Sequence, residues 1–218
     1  MNINNLIDHT LLRPDATDAD IASLCGYAEK YGFYSVCIHP AFIKMARQEL
    51  SQSHVRISTV IGFPTGLTLS RVKIYEALEA VLNGADELDM VMNLGFAKSG
   101  KWNSLAQEIS DIITVTPGAT HKVIIETCYL SDDEKKKASE IAMNAGAEFI
   151  KTSTGFGPAG ASVKDVKLIR SITKGRIGIK AAGGIKTLKE AMALIDAGAT
   201  RIGTSSGVEI MKEAARKK

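Results

Sequence analysis

Amphipathic, helix-like segments alternate with short apolar runs along the whole chain. A repeated phrase marks the change from one to the other: a glycine, a small or aromatic residue, a polar residue and then an apolar run. Its four copies begin at Gly32, Gly84, Gly146 and Gly198. Because each copy follows a helix-like segment, the glycine suits the left-handed position that ends a helix before a strand begins. These glycines stand about two strand-helix units of roughly 30 residues apart. Each interval should therefore contain one further strand.

Four further strands are predicted from apolar runs that lie between amphipathic stretches, one at the start of the chain and one in each interval: residues 6–10, 56–61, 121–126 and 176–180. The first helix is predicted over residues 18–31 and the last over residues 206–217. Eight strands alternating with eight helical patterns favour a (β/α)8 barrel of parallel strands over an open doubly wound sheet.

The composition is that of an ordinary globular protein, with 45% hydrophobic and 23% charged residues in 218. A chain of this length predicts one domain over residues 1–218. The net charge is only +3 and basic residues interleave with acidic ones, so neither nucleic acid nor a membrane is expected as a partner. No apolar stretch approaches the roughly 18 residues of a membrane span, and no leader-like segment opens the chain.

Three cysteines, Cys25, Cys37 and Cys128, are widely spaced and form no CxxC pair. This pattern indicates reduced thiols, and we expect a cytoplasmic protein. Cys37 ends the second predicted strand and could approach a site there, although a buried structural thiol is the favoured interpretation. The histidines show no HExxH or helical i, i+4 spacing, so a metal site is not expected: His9, His39, His54 and His121.

Polar residues near the carboxyl ends of the predicted strands are the candidates for chemistry, because active sites of such barrels lie at that face. Lys151 and Lys180 each come last in a predicted strand, and Asp89 lies within another. Asp8 and Thr10 share one face of the first strand, whereas His9 has the opposite parity and should face the helices. A barrel would bring these polar residues to one mouth.

Two lysines beside a carboxylate make chemical sense for attack on a carbonyl. The attacking amine must be neutral, whereas a lysine with the usual pKa near 10.4 is almost fully charged at neutral pH. A neighbouring ammonium group and partial burial both disfavour the charged form. Asp89 could then move protons, directly or through water. The pattern leaves a second interpretation open, in which the lysines are solvated and Asp89 closes a structural ion pair.

A phosphate site is indicated by the turns after the last two strands. Gly183 and Gly184 follow the seventh strand, and Ser205 and Ser206 follow the eighth at the start of the last helix. Barrels commonly hold phosphate at this pair of loops, with backbone N–H groups and a helix N-terminus facing the anion. The alternative is that the serines only cap the helix and the glycines only turn the chain.

At these residues the chain resembles the deoxyribose-phosphate aldolase family of class I aldolases, specifically its shorter bacterial form. The combination of the lysine segment with KAAGGI is the specific feature. The matching segments follow family order along nearly the whole chain: LIDHTLL at 6–12, SVCIHP at 35–40, VIGFP at 60–64, ELDMVMN at 87–93, KVIIET at 122–127, FIKTSTGF at 149–156, IKAAGGI at 179–185 and RIGTSSG at 201–207.

The resemblance implies that Lys151 forms an imine with the substrate, that Lys180 favours the neutral amine at Lys151, and that Asp89 relays protons. It implies reversible cleavage of 2-deoxy-D-ribose 5-phosphate to acetaldehyde and D-glyceraldehyde 3-phosphate in deoxyribonucleotide catabolism, without a cofactor. We also expect a homo-oligomer, either a dimer or a tetramer. By position, the resemblance further assigns residues to the substrate and its phosphate: Asp8, Thr10, Cys37, Thr154, Gly155, Gly183, Gly184, Ser205 and Ser206.

Two features depart from the family pattern. Phe156 stands where some longer members have a lysine that helps to hold phosphate, so phosphate preference is either weaker or supplied by backbone groups alone. The loop over residues 157–162 is less rich in glycine than expected. Two other functions remain open: another class I aldolase or a transaldolase-like activity on a different phosphorylated acceptor, and a phosphosugar-binding regulator without turnover.

Overall fold

The computed structural model describes residues 3–216 and contains a closed barrel of eight parallel strands in chain order. Each strand pairs with the next, and β1 closes the barrel against β8. The (β/α)8 prediction is therefore confirmed. The strands are β1 (Ile7–Leu11), β2 (Ser35–Ile38), β3 (Arg56–Ile61), β4 (Glu87–Val91), β5 (Thr120–Ile124), β6 (Phe149–Lys151), β7 (Gly178–Ala182) and β8 (Arg201–Thr204).

Helices surround this barrel and connect consecutive strands. The described residues form one α-helix more than the eight predicted, because two helices, the first of them very short, lie between β4 and β5. The helices are α1 (Asp18–Tyr31), α2 (Ile43–Glu49), α3 (Ser70–Leu82), α4 (Leu94–Lys98), α5 (Trp102–Val115), α6 (Asp132–Asn144), α7 (Val163–Thr173), α8 (Leu188–Asp196) and α9 (Gly207–Arg216). Lys217, in the predicted last helix, lies outside the described residues.

Local sequence signals set several of these boundaries. Thr17, Ser131 and Thr187 each begin a helix with a capping box, in which the side chain accepts from the N3 backbone N–H and an acidic N3 residue accepts in return. The four junction glycines recognised in the sequence all have positive φ, from 63° at Gly32 to 119° at Gly198. A side chain is strained in this conformation, so glycine ends the helix there.

Successive side chains along each strand point in opposite directions, so the fold has two interiors: one between the strands and the helices, and one inside the barrel. Side chains that face the helices form one continuous apolar layer, and each is completely buried: Ile7, Val36, Ile57, Leu88, Val123, Ile150, Ile179 and Ile202. Burying an aliphatic side chain of this size stabilises the fold by about 1.5–3 kcal/mol. The alternate positions point into the barrel, where polar and charged side chains predominate.

Three predicted strands, β1, β5 and β7, are displaced by one or two residues, and the displacement of β7 affects the site. β5 ends at Ile124 rather than at Glu126, which has left-handed backbone geometry with φ 50°. β7 runs from Gly178 to Ala182, so Lys180 lies in mid-strand and not at the end as predicted. Within residues 3–216 no helix has the length and apolar character required to cross a bilayer.

Candidate active site

Each strand of the barrel contributes a polar or thiol side chain to the interior. Asp89 occupies its centre, and the other members are Asp8 from β1, Cys37 from β2, Ser58 from β3, Glu87 from β4, Lys122 from β5, Lys151 from β6, Lys180 from β7 and Arg201 from β8. We call this set the barrel network. Its charged members are at most 5% exposed, which makes hydrogen bonding and pairing of every charge essential.

Asp89 joins the two predicted lysines through one oxygen atom. Its Oδ2 lies 2.8 Å from Lys151 Nζ and 2.7 Å from Lys180 Nζ. The other oxygen, Oδ1, accepts from Lys122 Nζ at 2.7 Å and from Ser58 Oγ at 3.1 Å. The three residues selected by strand parity and position, Lys151, Lys180 and Asp89, therefore lie in contact in the structure.

The carboxylate of Asp89 is held ionised by its surroundings. Burial alone would raise its pKa, but the attraction of Lys122, Lys151 and Lys180 outweighs burial and holds the pKa well below the usual value. Asp89 is therefore an ionised hydrogen-bond acceptor for the lysines around it at neutral pH.

Lys180 remains protonated for a comparable reason. Burial alone would lower its pKa, but Asp8 and Asp89 attract the ammonium group and raise the pKa above the usual value. Lys180 Nζ lies 2.5 Å from Asp8 Oδ2. A charged ammonium group thus stands close to Lys151, on the same Asp89 oxygen.

Lys151 alone in the network reaches a cavity at the carboxyl end of the barrel. The cavity has a volume of about 390 Å³. Six residues predicted for substrate or phosphate also line it: Thr10, Thr154, Gly155, Gly183, Gly184 and Ser205. The predicted lysine and the predicted phosphate residues therefore share one cavity.

Three predicted binding residues do not line this cavity. Asp8 and Cys37 are completely buried below it, because Asp8 pairs with Lys180 and Arg201 while Cys37 Sγ lies 3.9 Å from Asp89 Oδ2. Burial raises the pKa of Cys37, so its thiol stays neutral. Ser206 precedes α9, where its carbonyl accepts from Ile210 N. Asp8 and Cys37 thus lie below the cavity, where they contact other members of the barrel network.

The turns that follow β6 and β7 lie close together at the carboxyl end of the barrel. Gly183, with φ 91°, approaches Gly160 so closely that a Cβ on Gly160 would lie 2.1 Å from the Gly183 carbonyl oxygen. Ala161 N donates to Gly183 O at 3.1 Å. Since α9 begins at Gly207, two residues after Ser205, its N-terminus adjoins the cavity. Backbone N–H groups and a helix N-terminus together favour an anion.

Aromatic and basic residues form the rim of the cavity. Phe156 lies edge-on to Phe63, with ring centroids 5.2 Å apart. Arg13 and Lys186 also line the cavity, and Arg13 pairs with Asp15 at 2.8 Å. Phe156 thus presents an apolar ring to the rim, while the cationic groups of Arg13 and Lys186 stand elsewhere on it.

Glu126 holds Thr154, a residue of the cavity wall, through hydrogen bonds. Its carboxylate accepts from Thr154 N at 3.1 Å and also from the Thr154 hydroxyl. Thr154 Oγ1 in turn accepts from Phe156 N at 3.1 Å. The left-handed conformation of Glu126 aims this side chain at the loop that follows Lys151.

Sequence reasoning missed Glu126, and it also missed Glu87, Lys122 and Arg201 in the network. Parity could have found Glu87, since it shares a face with Asp89. Lys122 needed the register between β4 and β5, which places it beside Asp89. His9, by contrast, packs against Phe33 at a centroid distance of 5.0 Å, on the helix side as its parity predicted. In the described part of the chain, no group of three or more His, Cys, Asp and Glu side chains is arranged to hold a metal ion.

Fold and site together define a barrel enzyme whose active site lies at the carboxyl end of the strands, with a lysine amine lining the cavity there. The model of the DeoC/LacD family of aldolases matches residues 3–213, and the chain belongs to this family. It is therefore an aldolase, a carbon-carbon lyase.

Similar proteins cover almost the full length of the chain. The deoxyribose-phosphate aldolase of Thermococcus gammatolerans is 51% identical in an alignment of 218 positions that covers 98% of this chain and 97% of that protein. The solved structure of QR15, an aldolase, has a TM-score of 0.95 and 46% identity, and the match covers 99% of this chain and 96% of that one. The tetrameric deoxyribose phosphate aldolase of Aeropyrum pernix has a TM-score of 0.93 and 32% identity, with 99% and 92% covered.

Proposed function

We propose that the protein reversibly cleaves 2-deoxy-D-ribose 5-phosphate to acetaldehyde and D-glyceraldehyde 3-phosphate, with Lys151 as the imine-forming lysine. One observation carries this proposal: Lys151 is the member of the barrel network that lines the cavity, and it shares Asp89 Oδ2 with Lys180. The relatives named for this reaction support the choice of substrate.

In the proposed reaction, the neutral Lys151 amine attacks the substrate aldehyde carbon, C1, and water leaves to give an iminium ion. The hydroxyl on C3 loses its proton, the C2–C3 bond breaks, and the electron pair of that bond moves towards the iminium nitrogen. This releases the three-carbon aldehyde phosphate and leaves an enamine on Lys151. Protonation of C2 and addition of water then release acetaldehyde, so the water lost in the first step is returned.

Asp89 and Lys180 are proposed to move the protons in these steps. Both lysines contact the same Asp89 oxygen, so a proton can pass along hydrogen bonds of 2.7 and 2.8 Å without rearrangement of the barrel. Lys180 stays charged, which suits a donor that is regenerated in each turnover. Lys122 fixes the remaining Asp89 oxygen and keeps the carboxylate in place.

The phosphate is proposed to bind at the turns after β7 and β8. Gly155, Gly183, Gly184 and Ser205 line that side of the cavity, and Ser206 precedes the adjoining N-terminus of α9. The anion would be held mainly by backbone groups, since Phe156 supplies no charge. The distance between this end and Lys151 would select the chain length of the substrate.

The test of this function is a comparison of cleavage rates on three substrates: 2-deoxyribose 5-phosphate, 2-deoxyribose and a ketose phosphate such as fructose 1,6-bisphosphate. Release of acetaldehyde from the phosphorylated deoxysugar should be fastest, with kcat/KM about 100-fold above that for the unphosphorylated sugar, as expected for one charged group held by several hydrogen bonds. Preferential cleavage of the ketose phosphate would instead assign the protein a different aldolase specificity.

We further propose a homo-oligomer in the cytoplasm. The tetrameric Aeropyrum pernix relative supports an oligomer, as do the large apolar side chains exposed on and beside α3, Leu69, Tyr75 and Leu82. The free thiols Cys25, Cys37 and Cys128 suit a reducing compartment. Light scattering on the purified protein tests the assembly, and a mass of 23.3 kDa, that of one chain, would overturn it.

A further inference from the structure

Arg201 lies at the amino end of the barrel, far down the network from the cavity. It begins β8, as Glu87 begins β4. Its Nη1 lies 2.8 Å from Asp8 Oδ1 and 3.2 Å from Glu87 Oε2. The guanidinium carbon lies 3.4 Å from the centre of the Tyr34 ring. We call this amino end of the barrel, at Arg201 and Tyr34, its floor. Arg201 is thus a buried cation that touches neither the cavity nor Lys151.

The network contains more cations than carboxylates. Three carboxylates, Asp8, Glu87 and Asp89, face four cationic side chains: Lys122, Lys151, Lys180 and Arg201. The other polar side chains that contact them are the Cys37 thiol, the Ser58 hydroxyl and the Tyr34 phenol. With every acid and base ionised, the network therefore carries one positive charge in excess. An unbalanced charge in a water-excluded interior is unfavourable, and loss of one proton removes it.

Three of the four cations hold their protons firmly. Burial alone would lower the pKa of Lys122, Lys180 and Arg201, but attraction to the carboxylates outweighs burial and raises each pKa above the usual value. Lys180 and Arg201 each contact two carboxylates, and so does Lys122. Lys151 has one carboxylate contact and lines the cavity. Lys151 is therefore the cation of the network with the fewest carboxylate contacts, and it alone adjoins the cavity.

We propose that Arg201 is an electrostatic positioning residue for the aldolase reaction: by neutralising Asp8 and Glu87 at the barrel floor, it leaves Lys151 as the surplus cation that gives up its proton. This inference rests on the proposed role of Lys151 as the nucleophile. It differs from a purely structural role, in which Arg201 only closes the floor against Tyr34 and Phe149.

Charge-changing variants at the floor should shift the pH dependence of imine formation in opposite directions. Arg201→Gln removes a positive charge, so we expect Lys151 to keep its proton to higher pH. The pH midpoint of imine formation should rise by about one unit, the order expected when a buried unit charge is removed from the same network without a direct contact. Glu87→Gln removes a negative charge and should lower the midpoint by a similar amount. The double variant Arg201→Gln/Glu87→Gln should return it close to the wild-type value.

The experiment traps the imine of acetaldehyde on the full-length protein with borohydride from pH 5 to 10 and measures the modified peptide containing Lys151 by mass spectrometry. Arg201→Lys, which keeps the charge, is the matched control and should leave the midpoint in place. Opposite shifts in the two single variants support the proposal, because damage to the floor would not produce effects of opposite sign. If Arg201→Gln fails to fold, Glu87→Gln and the double variant still give the comparison.

Two results would overturn this inference. One is that the pH midpoint of adduct formation on Lys151 is the same in the wild type, in Glu87→Gln and in the double variant. The other is a rise in the Arg201→Lys control as large as in Arg201→Gln. Absence of any adduct on Lys151 in the wild type across the whole pH range is a different result, because it removes the proposed function on which the inference rests.

Discussion

Asp89 depends on its partners more than any other residue of the site. Its carboxylate is completely buried and accepts hydrogen bonds from Ser58, Lys122, Lys151 and Lys180. Loss of one partner from a buried ion pair leaves a charge without compensation and typically costs about 3–5 kcal/mol. Each substitution in this cluster will therefore affect stability as well as chemistry, and the two effects require separate measurements.

For Lys180→Leu we expect most of the activity to disappear while the barrel remains folded. The substitution removes the ammonium group that contacts both Asp8 and Asp89, so kcat should fall by about 100-fold or more, within the range typical of a lost proton-transfer group. Steady-state kinetics and circular dichroism together measure the two effects. Near-wild-type turnover would exclude a role for Lys180 in the reaction.

A matched control for this variant is Lys73→Met. Lys73 is also completely buried and pairs with Glu108 at 2.8 Å, but it lies outside the barrel, between α3 and α5. Lys73→Met should lose comparable stability and keep kcat within about threefold, because a destabilising change at a site separate from the cavity need not alter the chemistry. Equal losses of kcat in the two variants would show that instability, not chemistry, explains the Lys180 result.

His9 predicts a specific pH dependence of stability. Burial lowers its pKa to about 4, from an ordinary value of 6.5. The unfolded chain therefore binds a proton between these values that the folded protein does not, so the free energy of unfolding falls as pH falls through this window. Between pH 7 and pH 5 the loss from this residue should be about 2 kcal/mol. Urea denaturation of the wild type and His9→Asn measures it: the variant should lose less stability on acidification, whereas parallel curves would contradict the assignment.

At the level of single residues, sequence reasoning found Lys151, Asp89 and several residues of the cavity wall, but it missed Glu126 and, deeper in the barrel, Glu87 and Arg201. Lys151 and Asp89 were recognisable because polar residues near the carboxyl ends of strands point to an active site. Arg201 begins a strand, where a charged residue is normally solvated. Only the closure of the barrel places it over Tyr34 and beside Glu87, and that closure depends on residues far apart in the sequence.

Among the elements, the turns at the phosphate end should be most sensitive to added bulk. A Cβ on Gly160 would lie 2.1 Å from the backbone oxygen of Gly183, so Gly160→Ala must displace the β7–α8 turn. We expect KM for the phosphorylated substrate to rise by about tenfold, equivalent to about 1.4 kcal/mol of binding, with a smaller change in kcat. Kinetics on 2-deoxyribose 5-phosphate provides the measurement.

Gly26→Ala is the matched control for this turn. Gly26 lies within α1 and a Cβ there would meet nothing within 4 Å. Alanine in a helix interior is favoured over glycine by up to about 1 kcal/mol, so stability should stay level or rise while KM is unchanged. An unchanged KM in Gly160→Ala would show that the turn does not determine binding of the phosphate.

Prediction of the elements succeeded where local signals were strong. The helix α1 was predicted with its observed bounds, since Thr17 caps its start and Gly32 follows its end. The displacement of β7 had no such signal, because Gly178 to Ala182 contains small residues that neither favour nor end a strand. The register with β6, in which Lys151 lies beside Lys180, decides it instead.

For the molecule as a whole, the closed barrel explains why so many charges can be buried together. Eight strands each turn a polar or thiol group inwards, and the apolar residues between them turn outwards to the helices. The apolar layer stabilises the fold, while the interior carries an ion network from the floor at Arg201 to the cavity at Lys151. The alternation of strands and helices predicted this architecture, but not the balance of charges within it.

The central claim is that Lys151 forms the imine, and borohydride reduction in the presence of acetaldehyde tests it most directly. The account predicts one reduced adduct, carried by the peptide that contains Lys151, and no turnover in Lys151→Arg, which keeps the charge but cannot form the imine. A protein that still cleaves 2-deoxyribose 5-phosphate while its adduct lies on another lysine, or on none, would contradict the account.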